Sequence, residues 1–134
     1  MLYRRAYMSR SRLVERPPEA GSRKWLIAEL DRLTSIIVRR RDKRCVTCGS
    51  LQGLQCSHFY SRRYLAIRFS LVNCNAMCST CNRRHNRDRR PYEKYMRKTY
   101  GPEVIAELDS LRLSMEKVAD EDLRGMLQQY KTIA

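Results

Sequence analysis

Apolar side chains recur at helical spacing in the first strongly patterned segment, residues 22–42. The segment has leucines and an isoleucine at intervals of four, three and four residues: Leu26, Leu30, Leu33 and Ile37. This spacing places them on one face of an α-helix, where they can pack against the rest of the fold. Ser22 precedes them, and serine is a preferred N-cap because its hydroxyl accepts a hydrogen bond from a backbone N–H. The pattern therefore predicts an amphipathic helix that begins at Ser22.

The middle of the chain has shorter apolar segments. Residues 51–60 and 64–69 are partly β-branched or aromatic, and a basic tripeptide separates them. This pattern predicts two short antiparallel strands, followed by a loop at 70–77. The chain is predicted to turn helical from about Ser79. Pro91 breaks or restarts that helix, since proline suits the first turn of a helix better than its interior.

Two amphipathic segments follow the break at Gly101-Pro102. The first has apolar residues at intervals of four and three: Val104, Leu108, Leu111, Met115 and Val118. The second follows Asp120, which can cap a last helix, and its apolar residues are Leu123, Met126, Leu127 and Tyr130. These helices are expected to pack on the domain or on a second subunit.

The chain is strongly basic. Its 134 residues include 28 Lys and Arg against 14 Asp and Glu, a formal net charge of +14. Such a surface favours a nucleic acid, because neutralising phosphates releases counterions. An anionic membrane surface is the alternative, although no apolar run approaches the roughly 20 residues of a bilayer span. Arginines interrupt the N-terminal segment, unlike a signal peptide, so a cytoplasmic location is expected.

The basic N-terminal segment, residues 1–21, ends in the stretch "PPEAG". It is expected to form an extended arm that lies along phosphates, or a disordered tail. The predicted organisation is therefore this arm, a folded domain at 22–100 and a helical extension at 101–134.

Four of the six cysteines form two Cys-x-x-Cys pairs. They are Cys45 and Cys48 and, after 29 intervening residues, Cys78 and Cys81. Two such pairs can place four thiolates around one zinc ion, which in a cytosolic chain is favoured over three disulfides. Four protein ligands leave no open position, so this zinc is expected to be structural. Cys56 and Cys74 lie outside the pattern and are expected to be small, semi-buried apolar side chains.

His58 lies between the two cysteine pairs, where a packed imidazole, a metal ligand and a general base are all open. Asn73 follows it by fifteen residues, and Asn82 directly follows the second cysteine pair. The stretch "CVTCGSLQGLQCSHFYSRRYLAIRFSLVNCNAMCSTCNRRHNRDRRPYEKYM" resembles the HNH, or ββα-metal, endonucleases, and within them the phage recombination nucleases called NinG or Rap. It is similar also to phage endonuclease VII. The resemblance covers roughly residues 40–110.

The resemblance implies a small zinc-stapled α+β fold, in which two strands and a helix surround the active site between flanking helices. It implies that His58 is the general base, that Asn73 holds a loop and orients the imidazole, and that Asn82 offers its carbonyl oxygen to a catalytic Mg²⁺ or Mn²⁺ ion. These residue types suit the chemistry, since histidine titrates near neutral pH and Mg²⁺ takes oxygen ligands. An ordinary loop residue at Asn73 and a helix-terminal group at Asn82 are the structural alternatives.

The positions just before the expected base depart from the family pattern. Ser57 stands where an Asp or His often ligates the metal, and Gln55 stands where NinG-like chains often carry an Asp. Either side chain offers only a weak neutral ligand. Asp88, seven residues beyond Cys81, is the candidate substitute. Otherwise Asn82, water and the substrate phosphate would hold the ion.

Basic side chains surround this site in the sequence. The candidate DNA contacts are Arg62, Arg63, Arg68, Arg83, Arg84, Arg87, Arg89 and Arg90. Five of them lie between positions 83 and 90, on the helix expected to approach the scissile strand, where guanidinium groups can clamp phosphates. An ordinary solvated surface is the alternative. His85 is expected to face solvent, with a phosphate contact or a second metal ligand as the alternatives.

The sequence therefore predicts a metal-dependent DNA endonuclease that acts on double-stranded or branched DNA, such as a four-way junction. The resemblance implies 5′-phosphate and 3′-hydroxyl products, and the branched-DNA preference rests on it alone. A non-catalytic zinc-knuckle DNA-binding protein is the alternative, which Ser57 and Gln55 favour. A basic protein that assembles on RNA is a third. A homodimer through the C-terminal helices would suit symmetric cutting of both strands.

Overall fold

The computed structural model describes residues 16–134 and has a small α+β fold. Its helices and strands are α1 Arg23–Asp42, β1 Leu54–His58, α2 Leu65–Arg68, β2 Cys74–Cys78, α3 Ser79–Arg84, α4 Arg90–Tyr100, α5 Val104–Arg112 and α6 Asp120–Ile133. The two strands form one antiparallel sheet. Residues 1–15 of the predicted basic arm lie outside the described residues. None of the helices in the described part has the length and apolar content to cross a membrane.

Helix α1 follows its predicted amphipathic pattern. Ser22 is its N-cap, and the Ser22 hydroxyl accepts a hydrogen bond from the Trp25 N–H at 3.2 Å. The predicted apolar face of α1 is buried against α6, which contributes Leu123, Leu127 and Tyr130 to the same core. The last helix therefore packs on the domain, which is one of the two outcomes that its pattern allows.

The second strand does not lie where the sequence predicts it. The strand prediction for 64–69 is wrong, because Leu65–Arg68 forms the short helix α2. Ile67 and Phe69 have the spacing of a strand, but they belong to two different cores. The second strand is Cys74–Cys78, within the predicted loop. Four of its five residues are buried, so both faces are covered and the alternation typical of a surface strand is missing.

The strand pairing decides which side chains face which helix. In the antiparallel ladder His58 lies opposite Cys74, and successive residues of a strand face opposite sides of the sheet. Ser57 faces α3, where its hydroxyl lies 2.8 Å from the Asn82 side-chain oxygen. His58 faces the other side and lines a cavity together with Asp31 of α1. The sheet is therefore enclosed between α1 and the later helices.

Helices α3 and α4 begin close to the predicted positions, at Ser79 and around Pro91. Helix α5 is shorter than predicted. It ends at Arg112, and two residues of its predicted apolar face, Leu111 and Met115, are 53% and 95% exposed. The reason is tertiary: α5 packs on α2 and α4, whereas α6 packs on α1, so the chain must leave one core to reach the other.

The start of α6 also differs from the prediction that Asp120 caps it. The N-cap is Ala119, whose N–H donates to the Asp122 carboxylate at 2.9 Å. Asp120 instead forms an ion pair with Arg23 at 2.6 Å. This pair joins the first turn of the last helix to the first turn of α1.

Tyr92 of α4 joins the helix to both strands, and its loss is expected to be measurable. The buried Tyr92 hydroxyl donates to the Ser57 carbonyl at 2.9 Å and accepts from the Asn75 side chain at 3.1 Å. Tyr92→Phe should lower the free energy of unfolding by about 1–3 kcal/mol, because it leaves buried polar groups without a partner. Urea denaturation measures this. Tyr95→Phe, a half-buried tyrosine on the same helix, is the control and should change the value by about 0.5 kcal/mol or less.

Candidate functional site

The two Cys-x-x-Cys pairs meet in space. The sulfurs of Cys45, Cys48, Cys78 and Cys81 all lie within 4.8 Å of one another. The first pair lies in the turn after α1, where Gly49 adopts a φ of 80° that a residue with a side chain rarely takes. The second pair lies at the junction of β2 and α3. The cysteine cluster is thus within metal-binding distance, and its donor set suits zinc.

Hydrogen bonds, burial and the crowding of four thiols shift the pKa values in this cluster in opposite directions. Burial raises the pKa of Cys45, but bonds from the Thr47 hydroxyl and from backbone N–H groups outweigh burial and lower it to about 6. The Thr47 hydroxyl also lowers the pKa of Cys81, but burial and bonds to the other three thiols raise it to about 12. Four thiolates this close repel one another unless a cation neutralises them. The residues therefore fit a zinc ion with four sulfur ligands.

His58 lies at the end of β1 with one ring nitrogen anchored. The Nε2 atom is 2.9 Å from the Arg68 carbonyl oxygen, an acceptor, so Nε2 carries the proton and Nδ1 offers a lone pair. Burial lowers the pKa of His58, and the positive charges of Arg62 and Arg68 act in the same direction. The bond to the Arg68 carbonyl opposes this shift in part. A pKa below the usual value leaves the imidazole neutral at pH 7, as a general base requires.

Asn73 is fully buried, and its side chain holds together the loop that joins β1 to β2 and includes the short helix α2. Its side chain accepts from the Tyr60 N–H at 2.9 Å and donates to the Tyr60 and Ile67 carbonyls at 3.0 and 3.3 Å. The same loop carries the Arg68 carbonyl that holds the imidazole. Asn73 therefore reaches His58 through the backbone of this loop.

The three residues considered for the catalytic metal around α3 form one hydrogen-bonded row. The Ser57 hydroxyl donates to Asn82 Oδ1 at 2.8 Å, and Asn82 Nδ2 donates to Gln55 Oε1 at 2.9 Å. Ser57 is 1% exposed, whereas Gln55 is exposed. Both ends of the Asn82 side chain are thus hydrogen-bonded to these partners. The N-cap of α3 is Cys78. The contacts of Asn82 therefore do not support the alternative in which its side chain satisfies the N-terminus of α3.

Asp88 lies beside the cysteine cluster. It lines a small cavity together with Thr47, Cys81 and His85. Its carboxylate accepts from the Arg90 guanidinium at 2.8 Å and from the Arg90 N–H at 3.1 Å. These bonds lower the pKa of Asp88 to about 2. Asp88 is therefore ionised, and its first partner is Arg90.

The predicted DNA-contacting arginines fall into two groups. Those with exposed side chains on the protein surface are Arg62, Arg63, Arg83, Arg84, Arg87, Arg89 and Arg90. Arg68 differs, because its guanidinium bonds to both carboxylate oxygens of Asp31 at 2.9 and 2.6 Å and is only 20% exposed. The Arg68–Asp31 pair ties α2 to α1.

Two arginines complete the surface next to His58, and one of them, Arg112, was not singled out from the sequence. The guanidinium of Arg112, on α5, lies 4.7 Å from the Tyr60 ring and 5.0 Å from the Tyr64 ring. Arg89 lies 4.9 Å from the Phe59 ring. They line a surface cavity of ≈ 360 Å³ that His58 also lines. Arg112 lies in the segment assigned to packing, and its local sequence carries no signal for this role.

The prediction that His85 faces solvent is wrong. The His85 ring is half-buried and packs at 5.3 Å from the Phe59 ring and 4.8 Å from the Tyr92 ring. Its Nε2 atom donates to the Phe59 carbonyl at 2.9 Å. Burial lowers its pKa. His85 therefore supports the strand end that precedes the loop of Asn73.

The comparison with protein families covers nearly the whole described chain. The family model described as Bacteriophage Lambda NinG protein matches residues 4–134. No curated protein and no solved structure matches the chain. The match reaches beyond the roughly 40–110 of the sequence resemblance and includes the N-terminal segment and α6. The chain therefore belongs to the bacteriophage lambda NinG family, which indicates a role in phage DNA recombination.

Proposed function

We propose that the chain is a metal-dependent DNA endonuclease with a ββα-metal active site. The observation that carries the proposal is the setting of His58. Its Nε2 atom is fixed at 2.9 Å from the Arg68 carbonyl, and the ring lines an open cavity of ≈ 330 Å³. A neutral, oriented imidazole beside solvent can take a proton from a water molecule. Membership of the NinG family supports DNA as the substrate.

In the proposed reaction, His58 Nδ1 accepts a proton from the water that attacks the scissile phosphorus. The bond from phosphorus to the 3′ oxygen then breaks, and the 3′ oxygen takes a proton from solvent, which leaves a 5′-phosphate and a 3′-hydroxyl. Asn73 keeps the loop closed, so the Arg68 carbonyl holds the imidazole in one orientation. Asn82 Oδ1 and the Ser57 hydroxyl are the oxygens that would hold a divalent ion. When bound, Mg²⁺ or Mn²⁺ would supply Lewis-acid charge to the phosphate and the leaving oxygen.

The exposed arginines that follow His58 and those on α3 would bind the phosphates of DNA. Guanidinium groups bind phosphate oxygens with two parallel hydrogen bonds, which positions a DNA strand without reading its sequence. Arg89 and Arg112 line the second cavity next to His58, the one of ≈ 360 Å³, and would lie closest to the bound strand. A symmetric cut in both strands of a junction would require two active sites and hence a two-fold dimer.

The alternative function is a zinc-knuckle DNA-binding protein without catalysis. One observation favours it: Asn82 is hydrogen-bonded to the neutral side chains of Ser57 and Gln55, in positions where a carboxylate would ligate the metal more strongly. Retention of an anchored His58 favours the nuclease, because a binding module needs no general base.

The experiment that separates these functions is cleavage of end-labelled DNA by the zinc-loaded protein. A four-way junction and its matched linear duplex are incubated with Mg²⁺ or Mn²⁺, and binding is measured in parallel. The nuclease proposal predicts cutting that requires the divalent ion, and a higher rate on the junction indicates branched DNA as the substrate class. Tight binding of both DNAs with no cutting would favour the binding module.

Restoring a carboxylate next to His58 should strengthen the metal site. Ser57→Asp is expected to lower the Mg²⁺ concentration for half-maximal cleavage by roughly tenfold, a gain of about 1.4 kcal/mol, because Mg²⁺ prefers carboxylate oxygen. The variant should also melt at lower temperature without Mg²⁺, since the new charge would be buried against Asn82 Oδ1. Ser57→Ala is the control and should require more Mg²⁺ than the wild type. Equal Mg²⁺ requirements for both variants would place the ion elsewhere.

Removing exposed guanidinium groups from α3 and the turn after it should weaken DNA binding independently of DNA sequence. Arg83→Ala combined with Arg87→Ala is expected to reduce the salt dependence of log K by roughly 1.8, if each arginine neutralises one phosphate. Fluorescence titrations at several salt concentrations measure this slope. Arg32→Ala is the matched control, because Arg32 is an exposed arginine of α1 that pairs with Glu29 at 2.9 Å. An equal loss per arginine removed, which is half the slope change in the single-site control, would assign DNA binding to net charge instead of α3.

A further inference from the structure

Three potential metal ligands lie on the face of the sheet that packs on α1. They are separate from the cluster of Cys45, Cys48, Cys78 and Cys81, which is called the zinc quartet below because it would bind zinc. A sulfur of Cys56, a sulfur of Cys74 and a ring nitrogen of His58 all lie within 4.8 Å of one another. The ladder explains why they meet. His58 is directly opposite Cys74, and Cys56, two residues before His58, points to the same face.

This donor set has the chemistry of a zinc-class site. Two thiolates and an imidazole are typical ligands of an ion that prefers tetrahedral coordination. A site with three protein ligands leaves the fourth position open to water. A zinc ion with bonds of 2.3 Å holds its sulfurs roughly 3.8 Å apart, which the observed spacing permits. Thiolate sulfur also selects this class of ion over Mg²⁺, which takes oxygen ligands.

The cluster is separate from the zinc quartet. Cys78 of the quartet lies opposite Leu54 at one end of the ladder, and Cys74 lies opposite His58 at the other. Cys78 lies four positions along the strand from Cys74, a distance of roughly 13 Å at the rise of a β-strand. One ion therefore cannot serve both sets of ligands.

Solvent reaches the cluster through the cavity on the α1 side. Cys56 and His58 line this cavity of ≈ 330 Å³ together with Asp31, Ser35 and Arg62. Cys74 is 0% exposed and lies beneath them, with its sulfur 3.3 Å from the Arg68 carbonyl that also holds His58. An ion can thus enter from solvent and meet a buried third ligand.

We propose that Cys56, His58 and Cys74 form a second binding site for a thiophilic divalent cation, of which Zn²⁺ is the representative. Its consequence rests on the proposed function. A histidine whose nitrogen coordinates a metal cannot accept a proton from water, so occupation of this site switches off the general base. The site would make cleavage sensitive to free zinc while Mg²⁺ supports it.

Cobalt binding tests the site without reference to cleavage. Co²⁺ is added to protein that retains zinc in the quartet, and the thiolate-to-cobalt absorption band is followed while retained zinc is measured in the same samples. Wild type is expected to bind one additional equivalent with a sulfur-to-metal band. Cys56→Ser and Cys74→Ala should lose that band, and Ser35→Ala, on the wall of the same cavity, should keep it. Thermal melts of each variant confirm folding, and the half-exposed position 56 decides the result if Cys74→Ala is unstable.

The outcomes decide the proposal either way. No additional thiolate band in wild type, or an unchanged band in folded Cys56→Ser, overturns it. In a Mg²⁺-supported cleavage assay, added Zn²⁺ should inhibit wild type and Ser35→Ala, and inhibit Cys56→Ser only at much higher concentration. If no protein cuts DNA, the nuclease function fails, but the cobalt titration still decides whether the metal site exists.

Discussion

Cys81→Ser is expected to unfold the part of the domain that follows α1. Cys45 and Cys81 are buried in the same core as Met77 and Tyr92, so the cysteine cluster that would bind zinc is part of that core. Zinc binding contributes roughly 10–16 kcal/mol in small zinc domains, whereas whole domains are stable by only about 5–15 kcal/mol. Loss of one ligand therefore removes more free energy than a small core can replace.

Zinc content and thermal melting measure this effect. Chelation of the wild type should reproduce the melt of Cys81→Ser, because both remove the same ion. Cys56→Ser is the matched control for the melt, since Cys56 is a half-buried cysteine of β1 outside the quartet. Because Cys56 belongs to the proposed second site, this control is expected to lose zinc from that site and to keep the quartet ion. It should retain a cooperative melt that chelators abolish. A Cys81→Ser protein with the wild-type melting temperature would show that the quartet does not hold the fold together.

His58→Ala is expected to reduce the single-turnover cleavage rate by roughly 10²–10⁴-fold, the range typical of a lost general base. DNA affinity should change little, because the exposed arginines proposed to bind phosphate are untouched. The cavity that His58 lines together with Asp31 of α1 has a volume of ≈ 330 Å³, which is large enough to admit a small base. Added imidazole should therefore restore part of the activity in proportion to its neutral form.

The other histidine is the control for this prediction. His85→Gln removes a ring that packs on Phe59 and Tyr92, so it should lower the melting temperature. It should not produce an activity that imidazole restores. If His58→Ala cleaves at the wild-type rate, or if imidazole rescues both variants equally, His58 is not the base.

Local sequence patterns predicted the parts of the fold that depend on local spacing. The apolar face of α1 and the cap at Ser22 are properties of one turn or one helix, and both are confirmed. The two Cys-x-x-Cys pairs were predicted to come together, because each pair presents two sulfurs on one turn. Their four sulfurs do come together in the structure. The resemblance to the NinG family is confirmed by the match to its family model, whereas the HNH endonuclease type stays a prediction.

Tertiary contacts account for what the sequence did not reveal. Strand β2 is covered on both faces, so its residues lack the alternation that identifies a strand. Arg68 looked like a DNA contact, yet its partner Asp31 lies 37 residues away. Arg112 reaches the tyrosines beside His58 only because α5 folds back onto α2. The roles of His58, Asn73 and Asn82 in catalysis stay predictions.

The most direct test of the central claim is a single-turnover cleavage assay with product analysis. Zinc-loaded wild-type protein is mixed with a four-way junction labelled on each strand, in Mg²⁺, and the new DNA ends are identified by ligation and phosphatase treatment. A nuclease with His58 as its base should give products with 5′-phosphate and 3′-hydroxyl ends that are absent when Mg²⁺ is omitted and absent with His58→Ala. Saturated binding without any product, in Mg²⁺ and in Mn²⁺, would contradict it and identify a zinc-knuckle DNA-binding protein.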